Sequence, residues 1–200
     1  MTLIVDPVQG SGGSYVPRRG PKSFAEAGYC GHSFNQGLLR FHDSETGPVF
    51  RDLCFEAFPE LADLDRKADV LAFDWQGKQY LTAKADRRGE PQIVVADVGA
   101  GTLEPLATVE VFSGVLKLPE MGEYFSEPLY DEWRAAVSRP GAQLAFTDCV
   151  EYAMPLYLGG EDAVDNLRLI DLDVAWTVGA QIRRQTAGLK PGERVEISFG

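Results

Sequence analysis

The spacing of apolar and polar positions changes period several times along the chain, and each change marks an element. Between Val49 and Phe58 the apolar residues are Val49, Phe50, Leu53, Cys54 and Ala57. That i, i+1, i+4, i+5, i+8 spacing makes one face of a helix, which Pro59 ends. Two runs follow, Val70–Trp75 and Lys78–Ala83, on either side of Gln76-Gly77. They predict a two-residue hairpin in which Gly77 supplies the positive φ. The turn Arg87-Arg-Gly-Glu-Pro91 leads into a third run, Gln92–Asp97, and Gly99-Ala-Gly-Thr102 into a fourth, Leu103–Thr108. Four such runs in succession read as an antiparallel meander. A shorter strand, Leu38–His42, precedes them and is closed by Asp43-Ser-Glu-Thr-Gly-Pro48.

Helical spacing returns at Val109–Leu116 and at Ser126–Ser138, where Leu129, Trp133 and Val137 recur every four residues before Pro140-Gly141. Val150–Leu158 is apolar and β-like, but Pro155 restricts it to an edge or irregular strand. Gly159-Gly160 turns the chain. In the last helix Asp171 is the N-cap, and Leu172, Ala175, Trp176, Gly179 and Ile182 form one stripe. Arg183 and Arg184 suit its final turn, Gly188 its C′ position, and Pro191 follows. Gly179 costs a helix about 1 kcal/mol relative to Ala, so a close backbone contact is expected there. Arg194–Phe199 reads as a closing strand. Trp75, Trp133 and Trp176 are assigned to the core.

The opening of the chain has no such periodicity. Gly10-Ser-Gly-Gly-Ser14 and Pro17-Arg-Arg-Gly-Pro21 predict a flexible, extended N-terminal arm over residues 1–22. Ser23 then caps a short helix through Phe24 and Ala27. Strands grouped before helices argue for an α+β fold. The expected architecture is an antiparallel β-meander packed against several helices, a single domain over residues 23–200.

Composition narrows the function classes. The chain has 200 residues, 44% of them apolar, and a domain of this size buries roughly 70% of its unfolded surface without staples. Nineteen Lys and Arg against 30 Asp and Glu give 19 − 30 = −11. Such a balance argues against a nucleic-acid partner or an anionic membrane surface and favours a basic partner. Three widely spaced cysteines, Cys30, Cys54 and Cys149, without a C-x-x-C, read as free thiols in a reducing compartment. The N-terminal apolar run stops at Asp6, too short for a signal peptide, and no segment reaches 18 apolar residues. A cytoplasmic location is expected.

No constellation in the sequence assigns catalysis, a metal or a cofactor. The only histidines, His32 and His42, lack metal-ligand spacing, and Cys30-Gly-His32 with distant Cys54 does not make a zinc site. Gly99-Ala-Gly101 is a hairpin turn rather than a dinucleotide loop, because Glu104 occupies the third glycine position and Pro105 blocks the helix. The densest carboxylate group is Glu161, Asp162, Asp165, Asp171 and Asp173. Its spacing matches no calcium loop, and it reads as a solvated acidic face with helix caps. Glu161, Asp162 and Asp165 are the candidate partner-contacting residues.

A wider pattern runs through Phe73-Asp-Trp-Gln-Gly77, Glu56-Ala-Phe-Pro-Glu60, Asn35-Gln-Gly-Leu-Leu-Arg40, Pro155-Leu-Tyr-Leu-Gly-Gly160, Asp165-Asn-Leu167 and Asp171-Leu-Asp-Val174 with Trp176 and Gln181. In order over about residues 28–190, these segments resemble the C-terminal domain family of type VI secretion immunity proteins, an immunity group related to SUKH and GAD-like domains. Ala72 and Ala175 stand where that pattern carries Gly and Tyr. The resemblance implies a non-catalytic, cytoplasmic antitoxin that binds and neutralises a DNase-type effector, a basic nuclease. The matched residues Trp75, Gly77, Gly159, Gly160, Asn166, Asp171 and Trp176 are expected to be structural. Two rival readings are a small-ligand-binding or hydrolytic module, with Trp75, Tyr157 and Glu161–Asp165 lining a cleft, and a regulatory interaction scaffold.

Overall fold

Seven strands cross one antiparallel sheet in sequence order: β1 (Val5–Gln9), β2 (His32–Phe34), β3 (Leu39–Phe41), β4 (Asp69–Asp74), β5 (Gln79–Ala83), β6 (Gln92–Asp97) and β7 (Thr102–Thr108). This computed structural model describes residues 3–20, 22–84, 89–118, 120–137, 144–189 and 196–198. All residues of β4 and β5 are buried, so the middle of the sheet is covered on both faces. One face packs on α1 (Lys22–Glu26), α4 (Val109–Val115), α5 (Met121–Tyr124) and α6 (Glu127–Ala136), through a cluster that includes Phe24, Trp75, Tyr80, Phe112, Phe125, Tyr130 and Trp133. The other face packs on α2 (Thr46–Ala57), α3 (Leu61–Asp65) and α7 (Leu172–Thr186), through Phe50, Phe58, Leu61, Phe73, Leu81, Val94 and Trp176. The fold is a single α+β domain.

A second, two-stranded sheet pairs β8 (Asp148–Tyr152) with β9 (Leu167–Asp171). It is tied to the β4–β5 hairpin by Val150 N–H donating to the Trp75 carbonyl at 2.8 Å. Gly179 faces Val98 so closely that a Cβ there would fall 2.4 Å from a Val98 methyl carbon. This is the close approach that a glycine inside a helix stripe suggests.

Several boundaries differ from the sequence reading. The flexible arm expected over residues 1–22 is corrected: Val5–Gln9 is the edge strand beside β2. Its Asp6 carboxylate accepts hydrogen bonds from Gln36 N–H at 2.7 Å, Gly37 N–H at 2.9 Å and the Ser33 hydroxyl at 2.6 Å. Those bonds fasten β1 and hold the left-handed Asn35 and Gln36 in place. The strand expected over Val150–Leu158 stops at Tyr152, and a 3-10 turn, Leu156–Leu158, follows Pro155. Strands β2 and β9 and the short helices α3 and α5 lie where no element was read. The Ser23 side chain, the turn residues 87–88, the helix stop at Pro140-Gly141, Pro191, Arg194, Val195 and Phe199 lie outside the described residues, and Glu196–Ser198, expected in a closing strand, form none.

Candidate functional site

Three turns meet at one end of the molecule. The β4–β5 hairpin is closed by Asp74, whose Oδ1 accepts from Gln76 N–H at 2.9 Å and Lys78 N–H at 3.0 Å. Its other oxygen accepts from the Tyr80 hydroxyl at 3.1 Å. Gly77 has φ +77°, and a Cβ there would come within 2.9 Å of Leu172 and 3.2 Å of the Cys149 sulfur. Conformation and space both demand glycine. Two indoles brace the tip from opposite faces of the sheet. Trp176 Nε1 donates to the Gly77 carbonyl at 2.8 Å, and Trp75 Nε1 donates to the Phe125 carbonyl at 2.7 Å while its ring stacks on Tyr130.

The second turn joins β6 to β7 and the third is the segment 153–166. Leu156 N–H donates to the Gly99 carbonyl at 3.0 Å, and Tyr157 lies against Gly101. Asn166 organises the third segment. Its amide oxygen accepts from Met154 N–H at 2.9 Å, and its amide nitrogen donates to the Met154 and Glu161 carbonyls, each at 2.9 Å. Gly159 turns the chain at φ +95°, and a Cβ on Gly160 would collide with the Met154 carbonyl at 1.9 Å. Asp171 then caps α7, accepting from Asp173 N–H at 2.9 Å and Val174 N–H at 3.3 Å.

Glu161, Asp162 and Asp165 are all exposed on this clamped segment. Tyr152 links them to the hairpin: its hydroxyl donates to Asp162 at 2.7 Å and accepts from Gln76 Nε2 at 3.1 Å. Lys78 sits between the turns, its ammonium 3.5 Å from Asp97. Burial pulls the Lys78 ammonium down, but Asp74, Asp97 and Asp162 outweigh it and hold the group above its ordinary value. Burial pushes the Asp74 carboxyl up to about 6, against the opposing pull of Lys78. The arrangement is an electronegative surface on a stiff frame. It has no nucleophile paired with a base, and no cluster of three or more His, Cys, Asp or Glu able to hold a metal ion occurs among the described residues.

The structure thus separates the residues singled out in the sequence. Trp75, Gly77, Asn166, Asp171 and Trp176 shape the frame, Gly159 and Gly160 shape the acidic segment, and the three carboxylates face water. The cleft suggested for Trp75 and Tyr157 is corrected, because Trp75 is wholly enclosed against Tyr130. His42 is buried; its ring contacts Gln79 Oε1 at 2.7 Å and Thr46 Oγ1 at 3.1 Å. Tyr152, Lys78, Asp97 and Glu104 belong to this end and were missed. Alternation along β6 and β7 carries part of the signal, since Val95 and Asp97 share a face with Tyr80.

No family model and no curated protein matches the chain. Among solved structures it is similar to the crystal structure of Atu4351 from Agrobacterium tumefaciens. The two are 13% identical, the match covers 88% of this chain and 85% of that one, and the TM-score is 0.56. The likeness is one of fold. Among the described residues no helix is long and apolar enough to cross a membrane.

Proposed function

We propose that this chain is an immunity protein that binds a type VI secretion DNase-type effector in the cytoplasm and neutralises it by occlusion, without catalysis. The observation that carries the reading is the exposed acidic trio Glu161, Asp162 and Asp165 on a segment immobilised by Asn166. A nuclease presents basic surface to DNA, and a complementary acidic surface gains association rate and excludes wrong partners. Immobilising the segment before binding removes an ordering cost from the association. The ordered resemblance to type VI immunity domains and the net charge of −11 support the same reading.

Co-expression with the nuclease encoded beside its gene tests the reading. Restored growth and a co-purifying complex are expected. Cell death despite abundant folded protein, with no complex recovered, refutes it.

A further inference from the structure

The helical layer over the Tyr80 face of the sheet stops short of the hairpin ends. Beyond Tyr80 and Val95, which pair across β5 and β6, the same face continues to Asp97, Thr102 and Glu104. There an open pocket of about 250 Å³ remains, lined by Lys78, Asp97, Thr102 and Glu104 and walled by Leu106 and Tyr124. Both walls are exposed, Leu106 by 48% and Tyr124 by 57%. The two side chains offer apolar surface on either side of a polar floor.

The charges in the pocket do not balance. Lys78 is one cation among three carboxylates, with Asp97 at 3.5 Å and Asp74 and Asp162 also acting on it. Glu104 is exposed on β7 and has no ion pair among the described residues. An unanswered negative charge between an aromatic and an aliphatic wall complements a side chain with an apolar stem and a cationic head. β7 is also the outer strand of the sheet, and among the described residues no further strand pairs with its free edge.

We propose that this pocket receives a lysine or arginine side chain of a basic protein partner, its stem between Leu106 and Tyr124 and its head paired with Glu104 and Asp97. The identification of that partner as a nuclease rests on the reading above. The docking surface then extends from the acidic segment onto the β7 edge. A buried cation between apolar walls has the character of an interface anchor.

The test is a binding titration of the full chain with a catalytically inactive form of the neighbouring nuclease, at two salt concentrations. The double variant Glu104→Lys with Tyr124→Ala alters two exposed side chains, and its fold is checked by melting temperature. Asp63→Lys, on α3 at the opposite face, repeats the charge change elsewhere. The double variant should weaken binding by 100-fold or more, and Asp63→Lys by less than fivefold at the higher salt. Binding by the wild type that the double variant leaves within threefold overturns the pocket while leaving the acidic segment as the contact. A wild type that binds no nuclease at all overturns both.

Discussion

The polar groups at the β1–β4 side of the molecule and those at the β7 side behave differently. At the first, charged side chains are buried and mostly answered, the Arg40 Nε alone of its three nitrogens having no partner among the described residues. Arg40 is wholly enclosed, its guanidinium donating to the Ala145, Phe146, Asp148 and Asp74 carbonyls while it lies 4.5 Å over the Phe73 ring. Asp43 accepts from Gly12 N–H at 2.9 Å and Thr46 N–H at 2.8 Å. At the second, Glu104, Glu161, Asp162 and Asp165 face water. The buried set fixes geometry because each member has few alternatives to its native partners. The exposed set adds little to folding and remains free to meet another molecule.

This contrast is broken most forcefully at Arg40. Arg40→Ala leaves four carbonyls without their donor and, at about 1–3 kcal/mol for each buried acceptor left unpaired, should cost about 5 kcal/mol, measured by denaturant unfolding. Trp176→Ala opens a cavity and frees the Gly77 carbonyl, with an expected loss of about 3–5 kcal/mol. An unchanged melting temperature in either variant contradicts the packing described.

The pH dependence sharpens the comparison inside the buried set. Burial raises Asp74 from 3.8 to about 6, so between those values the folded chain binds more protons than the unfolded one. Stability contributed by this group therefore falls as pH rises through the window, by about 3 kcal/mol. Burial lowers His42 from 6.5 to about 4, so its contribution runs the other way and is lost as pH falls through that window. The two slopes oppose each other. Asp74→Asn removes one, and its stability relative to wild type should increase between pH 4 and pH 6. A constant difference across that range counts against a buried, protonated Asp74.

Smaller effects belong to the exposed side. Asp171→Ala removes the cap of α7 and should cost about 1 kcal/mol. The triple variant Glu161→Gln, Asp162→Asn, Asp165→Asn should change stability by no more than about 0.5 kcal/mol. It should nevertheless slow association with a basic partner and flatten its salt dependence. A large loss of stability would move these carboxylates into the structural set.

How much of this was legible in the sequence follows from the reach of each interaction. The β4–β7 meander could be read because Gly77 and the apolar runs are local signals. Asp171 and the α7 stripe are local as well. Strand β1 was hidden: Pro7 and the glycines beyond it read as arm, and the bonds that fasten Asp6 come from residues 33, 36 and 37. The acidic trio was visible as composition, but its clamp was not, since Asn166 reaches back to Met154. Alternation puts Thr102, Glu104 and Leu106 on one face of β7, but the pocket's other wall, Tyr124, comes from α5, a distant short helix with no local signal.

The proposed mode of action is most directly tested by titrating nuclease activity with increasing amounts of this protein. Occlusion predicts a linear fall to zero at a fixed stoichiometric ratio, with active nuclease recovered once the complex is dissociated. Inactivation by substoichiometric amounts, or activity that persists in excess of the protein, would contradict it.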